Sequence, residues 1–235
     1  MFLRSHRHLR LLAVLSLTCS PIPSAASIIV VPDEAPTIQS AVNALPDTVL
    51  VRGGTFDEEV LLFRGIAILG YAGTAVPQVR RVRIEPTADP FSSDVYIVAS
   101  ITVEHGISLR NDREAIYVSI NRCNVIGGFE DLSLSAETVS IEISNSSIQG
   151  DIRALVRSTL AVDSCDVAGH ISAGWSDAEL TVWDCSIEGD GTGTGIASEG
   201  FPNINQALID RNRITGFERG IGIIAGNNVY NQRNT

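Results

Sequence analysis

Lysine is absent from the 235-residue chain, and all 17 basic side chains are arginine. This removes two chemistries at once: the Schiff-base amine and the lysine of a phosphate-binding loop. Positive charge of any kind is scarce, since 27 acidic residues give a net charge of −10. Nucleic-acid binding needs a basic stripe, so nucleic acid is not an expected partner. Aromatic residues make up only 6% of the chain, so any core must be filled by aliphatic side chains. Cysteine and histidine number 4 each and show no zinc-type spacing. Long apolar runs are missing too. Leu11–Leu17 is too short to span a bilayer, so no transmembrane segment is expected.

That short run belongs to a leader. Arg4, Arg7 and Arg10 precede it, and Ser24-Ala25-Ala26 supplies small residues for cleavage. Met1–Ala26 therefore reads as a secretory signal peptide, and a secreted, extracellular or periplasmic location is expected. Cys19 follows Ser16-Leu17-Thr18, a poor context for lipid attachment. The leader carries three arginines and no acid, which leaves 14 basic and 27 acidic residues in 27–235, a net charge of −13. Such a surface repels an unaided polyanion. The odd set of Cys123, Cys165 and Cys185 remains, and buried thiols are the simplest reading. Cys165–Cys185 pairing stays open.

What the chain does contain is a repeat. Leu160, Val162, Cys165, Val167 and Gly169 are answered by Leu180, Val182, Cys185, Ile187 and Gly189. The same pattern occurs at Val118–Gly127, Ile141–Gly150 and Ala207–Gly216. Alternation before each corner predicts a strand with one buried face. The step of three at Ser164 predicts a corner, and a short strand follows. Corner residues Cys123, Ser146, Cys165, Cys185 and Asn212 are separated by 23, 19, 20 and 27 residues. Strands keep their length while loops vary, as in a solenoid of stacked coils.

These coils resemble the right-handed parallel β-helix, pectin-lyase-like family, in which Asn or a small residue stacks inside the corner. The run VPDEAPTIQSAVNALPDTVLVRGGTFDEEV resembles the opening of secreted β-helix proteins. In it, Ile38, Ala41, Val42 and Leu45 are expected to form the apolar face of a short capping helix headed by Thr37 or a neighbour. The expected architecture is an all-β, right-handed parallel β-helix over 27–235. Residues 28–60 form the N-terminal cap and first coil, and 107–230 the regular coils. Tyr71–Gln78, Pro86–Ser93 and Asp190–Gly195 read as loops. The run after Gly220 begins another coil with no visible cap, so end-to-end self-association is a candidate partner mode.

Residues at one position of successive coils form an outward column: Asn121, Ser144, Asp163, Trp183, Asp210. An indole between two carboxylates suits a sugar, because the ring stacks on C–H faces while Asp accepts hydroxyl hydrogen bonds. Trp183, Asp163 and Asp210 are thus the candidate binding residues. Asp163 and Asp210 are also the weak catalytic candidates, since a glycosidase needs two flanking carboxylates. Glu142, Asp166, Asp184 and Glu188 add further acids. Arg122, Arg211 and Arg213 are placed at corners, and His105 and His170 read as turn residues. The family's esterase, polygalacturonase and lyase motifs are missing. The resemblance implies carbohydrate, neutral in preference to anionic unless Ca²⁺ bridges; no other cofactor or metal is expected. A non-catalytic β-helix contacting polysaccharide or a cell-surface component is the favoured function. The alternatives are a polysaccharide lyase, hydrolase or esterase with a divergent site, and a structural module of a larger surface protein.

Overall fold

The computed structural model describes residues 26–87, 95–111, 116–131, 139–154, 158–174, 178–199, 204–223 and 225–235. The signal-peptide reading, up to Ala25, and the Pro86–Ser93 loop beyond Thr87 fall outside them. The fold is a parallel β-helix. Ten strands stack in chain order as one long-strand face: Ile28–Val31, Thr48–Val51, Ile66–Gly70, Val95–Ala99, Ile116–Asn121, Val139–Ser144, Ser158–Asp163, Ala178–Trp183, Ile204–Asp210 and Ala225–Gln232. Neighbours pair in parallel, for example Leu160 with Leu180 and Val162 with Val182.

Each regular coil carries two further short strands. A second face stacks Thr102–Val103, Asn124–Ile126, Ser147–Gln149, Asp166–Ala168, Ser186–Glu188 and Arg213–Thr215. A third face stacks Ile107–Leu109, Phe129–Asp131, Ile152–Ala154, Ile171–Gly174, Thr194–Glu199 and Arg219–Gly222. The two faces merge in Gln78–Ile84, one strand that pairs with both Thr102–Val103 and Ile107–Leu109. In later coils glycine splits them. At Gly169 the backbone has φ +157°, and a Cβ there would lie 2.4 Å from the Gly150 carbonyl oxygen.

The third face is absent from the sequence expectation. Its strands offer only two inward positions each, often with a small residue second (Ile152 and Ala154, Ile171 and Ala173), too short a run for alternation to register. Three smaller readings also change. Gln78 opens a strand, so the loop from Tyr71 ends one residue earlier. Thr194 and Gly195 belong to a third-face strand, so the Gly-rich loop is shorter than expected. Arg213 opens a second-face strand and is not a corner residue.

The corner between the long-strand and second faces is the most regular feature. Ser100, Arg122, Asn145, Ser164, Asp184, Arg211 and Arg233 all have φ between 50° and 57°, the left-handed conformation. The next residue turns inward each time: Ile101, Cys123, Ser146, Cys165, Cys185 and Asn212 are all buried. This ladder is bonded along the axis. Ser146 Oγ accepts from the Cys123 N–H at 3.1 Å, and Asn212 Oδ1 accepts from the Cys185 N–H at 2.9 Å. Asn212 Nδ2 donates to the Val182 carbonyl at 2.9 Å. Asn234 adds a rung, accepting from the Asn212 N–H at 2.9 Å. The three thiols are free and buried. Burial pushes the Cys123 thiol up to about 11.

The core is aliphatic, as the composition requires; Val118, Ile120, Ile143, Leu160, Val162, Val182 and Ile209 are at most 1% exposed. At the N-terminal end the helix Ile38–Asn43 buries Ile38, Ala41 and Val42. Thr37 caps it, its Oγ1 accepting from Ser40 N at 3.0 Å. Glu58 accepts from the Ile38 and Gln39 N–H groups at 2.8 and 3.0 Å, so the Thr55–Glu58 segment serves the helix. Leu45 does not share the buried face. The chain leaves the helix before it, with Leu45 at φ 60° and 50% exposed. Among the described residues no helix is long and apolar enough to cross a membrane.

Two substitutions check this register. Val162→Asp places an unpaired charge between coils; it is expected to abolish cooperative melting in circular dichroism, and a parent-like melt would refute the assignment. Asn212→Ala leaves the Cys185 N–H and the Val182 carbonyl without this partner. It should cost about 1–3 kcal/mol in urea unfolding.

Candidate functional site

The column expected on the long-strand face exists as an unbroken register. Ser144 pairs with Asn121 and Asp163, Trp183 with Asp163 and Asp210, and Asp210 with Gln232. Successive positions are about 4.8 Å apart, the spacing of paired strands. The column begins one step before the left-handed corner, so its side chains sit at the shoulder of the helix.

Its members differ in access. Asp163 is exposed, and its Oδ1 accepts from Ser164 Oγ at 3.2 Å. Trp183 is 37% exposed, whereas Ser144 and Asp210 are buried at 4% and 7%. Asp210 is covered by Arg233 of the following coil, which donates through Nε to Oδ1 at 2.9 Å and through a second nitrogen to Oδ2. The hydrogen bond from Arg233 holds the Asp210 carboxyl below the usual carboxylate range; burial opposes this, and the charges of Arg233 and Arg211 reinforce it. Trp183 is braced as well. The Arg211 guanidinium lies 4.5 Å over its ring and also bonds Asp184, Nε to Oδ1, at 2.6 Å.

Trp183 thus stands between the two aspartates as the spacing predicts, but the contacts of Arg211 with Trp183 and of Arg233 with Asp210 are additions to that expectation. The signal was present: Arg211 and Arg233 occupy the repeating corner position, where a long side chain reaches back one coil. Asp163 and Asp210 stand two steps apart, about 9.6 Å. That is at or beyond the widest separation of a glycosidase pair, roughly 9.5 Å, and the indole lies between them. The other acids are dispersed. Glu142 lies one column away and accepts from the Tyr117 hydroxyl, Asp166 and Glu188 lie on the second face, and Asp184 is at the corner.

Both histidines line depressions of about 430 Å³ at the corner between the second and third faces. His170 is fixed there: Nδ1 donates to the Thr194 carbonyl at 2.8 Å, and the ring meets Phe217 edge-on at 5.1 Å. Asp151, Glu188 and Asp190 surround it. Among the described residues no three His, Cys, Asp or Glu side chains are arranged to hold a metal ion.

Comparison with known protein families, with curated proteins and with solved structures finds no match.

The Asp210–Arg233 pair makes a pH prediction. A carboxyl depressed on folding contributes stability that is present above its unfolded value, about 3.9, and lost as pH falls through the folded value. Arg233→Gln should therefore flatten the acid limb. The urea midpoint should drop less between about pH 5 and about pH 2 than in the parent. Identical acid limbs would mean that the pair is not formed.

Proposed function

We propose that the protein is a secreted, pectin-lyase-like β-helix that binds polysaccharide or another cell-surface component along the shoulder column without cleaving it. The observation that supports this reading is the row Asn121, Ser144, Asp163, Trp183, Asp210, Gln232 in unbroken register. Its accessible members, Asn121, Asp163, Trp183 and Gln232, offer amide, carboxylate and indole groups along a row whose step is about 4.8 Å, on the scale of one pyranose ring. A linear ligand with its own short repeat can meet such a row at several points at once. Trp183 is the natural anchor, because Arg211 holds the ring in place and the residue remains partly exposed.

Binding is better supported than hydrolysis. Asp210 is neutralised by Arg233 and largely covered, so it is poorly placed to activate water. The wide separation and the intervening indole also leave little room for a scissile bond between Asp163 and Asp210. Neutral glycans are the expected class given the acidic chain, with Ca²⁺ the bridging ion an anionic glycan would need.

The test is affinity electrophoresis of 27–235 through neutral and acidic polysaccharides, with and without Ca²⁺, followed by mass spectrometry of the glycan. Retention should occur and be lost in Trp183→Ala with no change in melting temperature. Released fragments would favour the lyase or hydrolase alternative. Absence of both retention and fragments on every glycan would favour the structural module.

A further inference from the structure

Three arginines occupy the left-handed corner, and two of them behave alike. Arg211 reaches back to Asp184, the corner residue of the preceding coil. Arg233 reaches back to Asp210, the shoulder residue of the preceding coil. Arg122 has the same backbone conformation, φ 52°. In its preceding coil, however, the corner residue is Ser100 and the shoulder residue is Ala99. Among the described residues no carboxylate lies within ion-pair distance of Arg122, which is exposed.

A recess lies beside Arg122, mostly over its own coil and the two that follow. Arg122 lines a depression of about 650 Å³ together with Thr102, Asn124, Asn145, Ser147 and Ser164. Thr102, Asn124 and Ser147 are in register on the second face, and Arg122, Asn145 and Ser164 are successive corners. The lining therefore combines one unpaired cation with a row of neutral hydroxyl and amide groups that both donate and accept. Its one carboxylate, Asp166, is two steps beyond Asn124, about 9.6 Å along the axis.

We propose that this recess binds a hydroxycarboxylate, whose carboxylate pairs with Arg122 in the same two-bond manner as Asp184 and Asp210 pair with Arg211 and Arg233. Guanidinium and carboxylate match as two parallel N–H···O bonds, the arrangement both internal pairs use. Hydroxyls on the same ligand satisfy Asn124, Asn145 and Ser147, which a bare anion would leave idle. Asp166 limits the ligand to a single negative group at the Arg122 end. The overall acidity is no obstacle at this range, because at 0.1 M salt charges more than about 10 Å away are largely screened. The site lies on the opposite side of the corner from Trp183 and does not depend on that residue holding a glycan.

The experiment is an amide NMR titration of 27–235 with D-glucuronate and D-gluconate, with glucose and acetate as controls lacking one functional group each. Saturable shifts centred on residues 102, 122–124 and 145–147 are expected for one or both hydroxycarboxylates. Which of them binds tells a ring from an open-chain source. Two variants test the assignment independently. Arg122→Gln removes the cation. Ser100→Asp leaves Arg122 intact and supplies the missing internal carboxylate, at a left-handed corner that Asp184 shows an aspartate can occupy. Each should weaken binding by about tenfold or more, the loss of a charge-assisted pair. Equal binding of glucose or acetate, undiminished binding in a folded Ser100→Asp or Arg122→Gln protein, or no saturable binding would overturn the proposal.

Discussion

One residue per coil, held in a left-handed conformation, closes the turn on which the regular coils depend. Outside glycine that conformation costs roughly 1–2 kcal/mol, yet it recurs at seven successive corners from Ser100 to Arg233. The compensation is axial. The corner N–H donates to the carbonyl of the shoulder residue one coil on: Arg122 to Ser144, Asn145 to Asp163, Ser164 to Trp183. The following residue is driven inward, where Ser146 and Asn212 meet backbone groups of the coil before. A strained dihedral is thus tied to inter-coil bonds, and the shoulder column inherits its alignment from them.

The same corner organises the surface charge. A side chain leaving it lies beside the preceding coil, so an arginine there finds whatever that coil offers. Arg211 meets Asp184 and Trp183, and Arg233 meets Asp210. Surface ion pairs such as Arg211–Asp184 add little to stability. Their importance lies in arrangement: they brace the indole and withdraw Asp210 from solvent.

The long-strand and second faces were legible in the sequence because their inward residues alternate and the step of three at Ser164 marks the corner. The ladder was legible for a related reason. A buried position at a constant place in the repeat accepts few residue types, and Cys165, Cys185 and Asn212 are among them. The third face was not, since strands of three or four residues carry too little periodicity. Leu45 misled because helical spacing continues past the residue where the backbone actually turns. At the site, register placed Trp183 between Asp163 and Asp210. It also puts Arg233 at the repeating corner but does not name its partner, which is 23 residues away and set by the reach of a flexible side chain.

Because each coil between Ser100 and Arg233 starts and ends at an equivalent left-handed corner, the structure has natural seams there. Removing 146–164 would join the corner residue Asn145 directly to the ladder residue Cys165, exchanging one complete coil for none. The shoulder would shorten by one position without changing phase. Length along the axis is therefore a separable property of this architecture, and a binding row built on it can be lengthened or shortened in whole coils while the chemistry at each remaining position stays as it was.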